Sequence, residues 1–346
     1  MLKVLTVLLL LLVSTTLLYS RALSAGPVYS DWLFVPTIES ARASGNISFS
    51  PRGLTGLSYW LDTTAQEFHR TNVLLHLLNG SLVLWLFLQL GVPRAVTYVG
   101  TLLFLVHPLA SQAVFYISAR SDLLATTGIL LAANVFLTRW RGRLLLVLLI
   151  CCAAIWAKES AIVGVGLMWL LASLRLERVS MPRWLWLVIG GGIVGCVGFV
   201  VQHFLPGMQS PYGWWSYLSL QATALWYYTG AVILPRTLSI DHDFETTALW
   251  LRVLALGSLF WITAFLVCLW WMREYLSLAT RCIFGGLLFV LIALAPRMVL
   301  PLAELTSERH LYLPMVGYAL VAATVLVLPF LPTTSEFRVH GLSQGA

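Results

Sequence analysis

An all-helical, polytopic membrane bundle, with about ten spanning helices and one re-entrant or interfacial helix, is the fold class this sequence predicts. Three observations predict it. Of 346 residues, 59% are hydrophobic and 10% charged, where soluble domains carry about 25% charged residues. The mean hydropathy is +0.87. The apolar residues fall in repeated runs of roughly 20, the length a helix needs to cross a bilayer. A single water-soluble globule and a disordered chain are both excluded, and the ten-residue alternating segments of a β-barrel are absent.

The spans read, in order, as 4–20, 72–91, 95–107, 122–138, 144–157, 160–174, 184–204, 248–271, 282–296 and 311–330. The run after Lys3 resembles a signal peptide with Ala22-Leu23-Ser24 as a cleavage site; an uncleaved first helix is the preferred reading. The short basic loops Arg139–Arg143 and Arg175–Arg183 place their side in the cytoplasm, which puts the amino terminus inside and the loop 21–70 outside. Segment 216–235 is apolar too. Reading it as re-entrant or interfacial returns Arg273 and Arg281 to the cytoplasmic side. Residues 1–330 then form one membrane domain, followed by a short polar tail, 331–346.

The net charge of +7 does not argue for nucleic acid, because the basic residues are scattered and flank apolar runs. The five cysteines (Cys151, Cys152, Cys196, Cys268 and Cys282) lie in or beside those runs and read as small core hydrophobes. Gly190-Gly191-Gly192 reads as helix packing, and Asn46-Ile47-Ser48 matches a glycosylation sequon.

On this topology only Glu177, Glu274 and Glu336 face the cytoplasm, so the other 11 of the 14 acidic residues lie on the outer face. Acidic residues do not set topology, so a site on that face is the natural cause. Charged and polar side chains are expected to converge there: Asp31, Arg52, His69, His76, His107, Arg120, Asp122, Lys158, Glu159, the Asp241–Glu245 cluster, Glu308 and Arg309. Each also has a plainer reading. Asp31 is either a base beside an apolar wall or a solvated loop acid. Lys158-Glu159 is either a cation oriented by its neighbour to meet phosphate or an interfacial pair. Arg120 could bind an anion at a helix start, while Ser121 or Asp122 caps that helix. His69, Asn72 and His76 share one helix face, and without a third ligand they read as a packed polar stripe rather than a metal site. No metal or cofactor is expected.

Six motifs recur in the order of a known family: Phe68-His69-Arg70-Thr71-Asn72-Val73-Leu74-Leu75-His76, Val106-His107-Pro108, Ala119-Arg120-Ser121-Asp122-Leu123-Leu124-Ala125, Ala157-Lys158-Glu159-Ser160, Leu234-Pro235-Arg236-Thr237-Leu238-Ser239-Ile240-Asp241 and Glu308-Arg309-His310-Leu311-Tyr312-Leu313-Pro314. Over roughly residues 29–318 the chain resembles the GT-C superfamily of polytopic glycosyltransferases, specifically the membrane part of the transmembrane-and-tetratricopeptide O-mannosyltransferase family and its bacterial relatives. Two positions depart from that pattern: Ser30 precedes a single acid, Asp31, and Gln112 stands where an acid is usual.

The resemblance implies transfer of a sugar from a polyprenyl-phosphate donor to a hydroxyl of a protein or glycan acceptor on the outer face. It implies Asp31 as the catalytic base and Arg120, Lys158 and Arg309 at the donor phosphate. Arg52, His69, His76, His107, Asp122, Glu159, Asp241 and Glu308 are expected to support them. The expected partners are the lipid-linked sugar, the acceptor and membrane lipid, with no nucleic acid. The short basic loops point to a bacterial inner membrane, with the site facing the periplasm. The departures at Ser30 and Gln112 motivate an alternative, a non-catalytic polyprenyl-phosphate binding or transport protein on a degenerate scaffold of this kind.

Overall fold

A computed structural model describes residues 2–28, 31–44, 52–174, 213–236, 238, 247–299 and 306–331. Six sequence expectations lie outside the described residues: the 184–204 span with its three glycines, the 175–183 loop, Ser30, the sequon, the Asp241–Glu245 cluster and the tail beyond 331. Among the described residues there are thirteen α-helices and no strand. They are α1 (Leu2–Leu18), α2 (Asp31–Ala43), α3 (Gly53–Tyr59), α4 (Ala65–Gln89), α5 (Arg94–Val106), α6 (Pro108–Phe115), α7 (Arg120–Leu137), α8 (Arg143–Ala157), α9 (Val163–Leu174), α10 (Trp214–Ile233), α11 (Leu249–Trp271), α12 (Leu278–Val299) and α13 (Met315–Val327).

Among the described residues, four helices are long and apolar enough to cross a membrane: Ala65–Gln89, Ile117–Leu137, Leu249–Trp271 and Leu278–Met298. The pair α5 and α6, bent by 50°, makes a fifth if counted as one span. The apolar helices Val4–Leu18, Arg143–Ala157, Glu159–Leu171 and Met315–Phe330 are shorter.

Local chemistry sets where the helices begin and stop. At the head of α4, Thr64 accepts the Glu67 N–H at 3.3 Å while Glu67 accepts the Thr64 N–H at 3.2 Å, a reciprocal capping box. That cap starts the helix at residue 65, seven residues ahead of the apolar run. At its foot Gly91 takes φ +73, and the Val92 N–H reaches back to Phe87 O at 3.1 Å, closing a Schellman turn that needs the left-handed glycine. His107 ends α5, and Pro108 opens α6 at its first position, where the missing N–H costs nothing. The His107 Nδ1 accepts the Leu109 N–H at 3.2 Å and caps this second helix.

Small residues bring helices together, as expected where apolar lipid leaves only close packing and hydrogen bonds to hold them. A Cβ on Gly317 would lie 2.4 Å from the Gly286 carbonyl oxygen, so α12 and α13 cross backbone to backbone. Gly128 of α7 packs likewise on Ala154 of α8. Polar side chains supply the bonds: Asn134 of α7 donates to Leu82 O at 3.0 Å and accepts from Gln89 at 2.8 Å, both in α4. Helix α7 is central, with 72% of its membrane-length window buried against 11% for α11.

The helix α10 answers to the segment read as re-entrant or interfacial. Near its start Tyr217 donates to Arg297 O in the last turn of α12, at 2.9 Å; near its end Val232 O accepts from His107 at 2.9 Å. Both partners stand at the same end of the bundle. Both the start and the end of α10, twenty residues long, are tied to that end.

Candidate functional site

The charged residues meet at this one end, where α1, α5, α8 and α12 finish and α4, α7, α9 and α13 begin. The described candidates therefore gather at one end of the bundle. Its internal pairing differs from the sequence reading in four places.

Asp31 sits in the first turn of α2, fully buried, not in a solvated loop. Its carboxylate accepts the Ile117 N–H at 2.9 Å, the Ser118 N–H at 3.1 Å and the Val28 N–H at 3.4 Å. Burial pushes this carboxyl above the usual aspartate value, against the pull of those three N–H groups. Asp31 thereby ties the start of α2 to the turn that precedes α7.

Arg120 is fully buried and turned inward. It pairs with Asp62 at 2.6 Å and donates to Asn72 Oδ1 at 2.9 Å, Ser58 O at 3.0 Å and Phe68 O at 2.9 Å. Its guanidinium stacks over Tyr59, 4.5 Å from the ring centre. A cation so enclosed and so fully bonded is the keystone joining α3, α4 and α7, and Asp62 and Tyr59, unremarkable in sequence, are part of it. Neither Ser121 nor Asp122 caps α7, because the N-cap is Ala119, with no side-chain cap bond.

Lys158 and Glu159, adjacent in sequence, serve different partners. Lys158 is extended, with φ −158 and ψ 129, so successive side chains diverge. Lys158 reaches Asp122 Oδ1 at 2.5 Å, whereas Glu159 accepts a two-pronged bond from Arg52 at 2.9 and 2.5 Å. Burial pulls the Lys158 ammonium below the usual lysine value, opposed by Asp122. Burial raises the Glu159 carboxyl, but the Arg52 bond and charge outweigh it and hold it below the usual glutamate value.

The segment ahead of α13 closes the site. Gln112, standing where an acid was expected, accepts the Arg309 N–H at 2.5 Å. The Arg309 guanidinium lies over the Tyr116 ring, 5.3 Å from its centre. Glu308 is buried and accepts from Tyr227 of α10 at 3.3 Å. His310, quoted in its motif but not singled out in sequence, is held well below the usual histidine range, first by burial and then by Arg297, Lys158, Arg309 and Arg52. Arg309 is its neighbour in sequence, but its position near Arg297, Lys158 and Arg52 was not legible there, since those three come from separate segments.

The other three histidines among the described residues bond to the bundle itself. His69 stands 3.4 Å from Gly26 O. His76 lies between Tyr312 Oη at 2.7 Å and Leu105 O at 3.0 Å, and Asn79 also donates to Tyr312 Oη at 3.2 Å. With Asn72, they form the polar stripe expected on α4. His107 is the bridge from α5 to α10 already described. Chemically, the end of the bundle offers Lys158, Arg52 and Arg309 to an anion, with the carboxylates of Asp122 and Glu159 among them. No family model, curated protein or solved structure matches this chain.

Proposed function

We propose that this chain is a membrane glycosyltransferase of the GT-C type, moving a sugar from a polyprenyl-phosphate donor to an acceptor hydroxyl. The carrying observation is the gathering of Arg52, Lys158 and Arg309 around the half-buried His310 at one end of an apolar bundle. A lipid donor reaches such a place through the bilayer and leaves its phosphate at the polar boundary. The acceptor oxygen attacks the anomeric carbon, the bond from that carbon to the phosphate oxygen breaks, and lipid phosphate departs. Lys158 and Arg309 offset the charge that develops on the phosphate; Arg120 positions the floor beneath them. Asp31 takes the hydroxyl proton, the role the family resemblance gives it. In full, the proposal is a bundle of about ten spans in a bacterial inner membrane, with the site facing the periplasm and a protein or glycan as acceptor.

The test is sugar transfer by purified protein from a panel of labelled polyprenyl-phosphate sugars. Asp31→Asn keeps the shape and, with its single oxygen on the Ile117 side, the bonds from Ile117 and Val28; it gives up the Ser118 bond and cannot take the proton, so turnover should fall about 10²-fold or more. Glu39→Gln on the same helix should leave it unchanged. Wild-type turnover in Asp31→Asn at matched protein levels would end the base assignment.

One observation favours a second reading, a non-catalytic lipid-phosphate binding protein. Both Asp31 oxygens already accept backbone N–H groups, and the side chain is enclosed. Donor binding without transfer, across the whole panel, would select that reading.

A further inference from the structure

We infer that Asp122 is an internal counter-anion of Lys158 and that the oxyanion of a lipid phosphate displaces it. The inference rests on the lipid-phosphate reading and deepens it, by assigning the pair through which the phosphate is admitted.

Both members of the pair are incompletely bonded. The Lys158 ammonium carries three N–H donors, and the structure gives it one acceptor, Asp122 Oδ1 at 2.5 Å, although the residue is only 8% exposed. The other oxygen, Asp122 Oδ2, is buried without a hydrogen-bond partner. Buried polar atoms are almost always bonded, so an unfilled pair of this kind calls for an explanation. The surroundings supply one. Glu159 is committed to Arg52 by two bonds, whereas Arg52 and Arg309 both act on Lys158 with repulsive charge. The local field thus favours further negative charge, and Asp122 is the anion most easily exchanged.

A phosphate ester presents several oxygens to one ammonium and can fill the Lys158 donors that a single carboxylate oxygen leaves open. While Asp122 stays paired with Lys158, it competes with that phosphate. Opposite charges in such close contact, with little water between them, attract strongly, so the competition is large enough to measure. The sign of the expected effect is unusual: removing a site residue should tighten binding.

The experiment titrates farnesyl phosphate, and inorganic phosphate separately, into detergent-purified wild type, Asp122→Asn and Lys158→Met. Asp122→Asn is expected to bind farnesyl phosphate about tenfold more tightly than wild type, and Lys158→Met at least tenfold more weakly. Wild type that binds farnesyl phosphate, with Asp122→Asn unchanged or weaker, overturns the exchange and leaves the lipid-phosphate reading standing. No binding to either protein overturns both. Tightening toward inorganic phosphate alone overturns the lipid as the displacing group. Should Asp122→Asn fail to fold, difference infrared spectra of wild type carrying ¹³C-labelled aspartate decide: an aspartate carboxylate band must shift when farnesyl phosphate is added, and unchanged bands overturn the inference.

Discussion

Replacing Arg120 separates a structural cation from a ligand-binding one. In the structure its guanidinium holds Asp62 at 2.6 Å and donates to Asn72, Ser58 and Phe68. Arg120→Met keeps much of the bulk but leaves the Asp62 carboxylate, itself buried, facing an apolar chain. Breaking a buried ion pair from one side costs about 3–5 kcal/mol. The neutral bonds lost with it lie within that figure, since the acceptors on Ser58 and Phe68 are left short as well. At about 2 °C per kcal/mol for a large domain, the melting temperature should drop by roughly 6–10 °C. The assay is thermal unfolding in detergent, followed by size-exclusion fluorescence and repeated for Asp62→Leu and the double variant. Because the charge is then removed from both sides, Arg120→Met with Asp62→Leu should recover a good part of the loss. An unchanged melting temperature in Arg120→Met, together with lost farnesyl phosphate binding, would refute the keystone and return Arg120 to the phosphate.

Three further outcomes follow from other parts of the structure. Gly317→Val places a Cβ 2.4 Å from the Gly286 carbonyl oxygen, so it should lower stability by about 1–3 kcal/mol; Gly257→Val on α11, where a Cβ meets nothing within 4 Å, should be near neutral in the same melt. Because the folded Glu159 carboxyl lies below its ordinary 4.5, its bond to Arg52 stabilises fully above that pH and the contribution disappears as pH falls through the folded value; melts from pH 7 to pH 3 should steepen in wild type and flatten in Glu159→Gln. In intact cells carrying a background without native cysteines, an impermeant thiol reagent should label Leu61→Cys, at the polar end and 82% exposed, and spare Ser277→Cys between α11 and α12. The reverse pattern would invert the orientation.

Where apolar runs decide the structure, the sequence was legible. The 95–107, 144–157 and 248–271 runs fall within one residue of α5, α8 and α11 at either end. The helix α4 begins earlier than its run because a Thr-Glu cap, not hydrophobicity, sets its start. Helices α2, α3 and α6 were not separable from loop, since 7 to 13 residues of mixed polarity at a bundle end carry no spanning signal. The candidate site was legible as residue types and as a face, but not as pairs. Arg52 and Glu159 are 107 positions apart, and only packing brings them together. Arg120 read equally as an anion ligand or a structural residue, and what decides is Asp62 and Asn72 standing on either side of it.

The direction of Arg120's bonds bears on how the chain is made. Each of its partners (Ser58, Asp62, Phe68 and Asn72) precedes it in sequence, by 48 to 62 positions where hydrogen bonds join them. Asp122 and Arg52 likewise wait only for Lys158 and Glu159. Synthesis runs from the amino terminus, so the first half of the polar end can close while the ribosome is still at work on the second. Tyr312 is different: it reaches His76 across 236 positions. Its hydroxyl meets two groups placed long before it, His76 and Asn79. A chain stalled after α9 thus holds its keystone but lacks its bolt, and His76 and Asn79 wait without that hydroxyl until the segment ahead of α13 arrives.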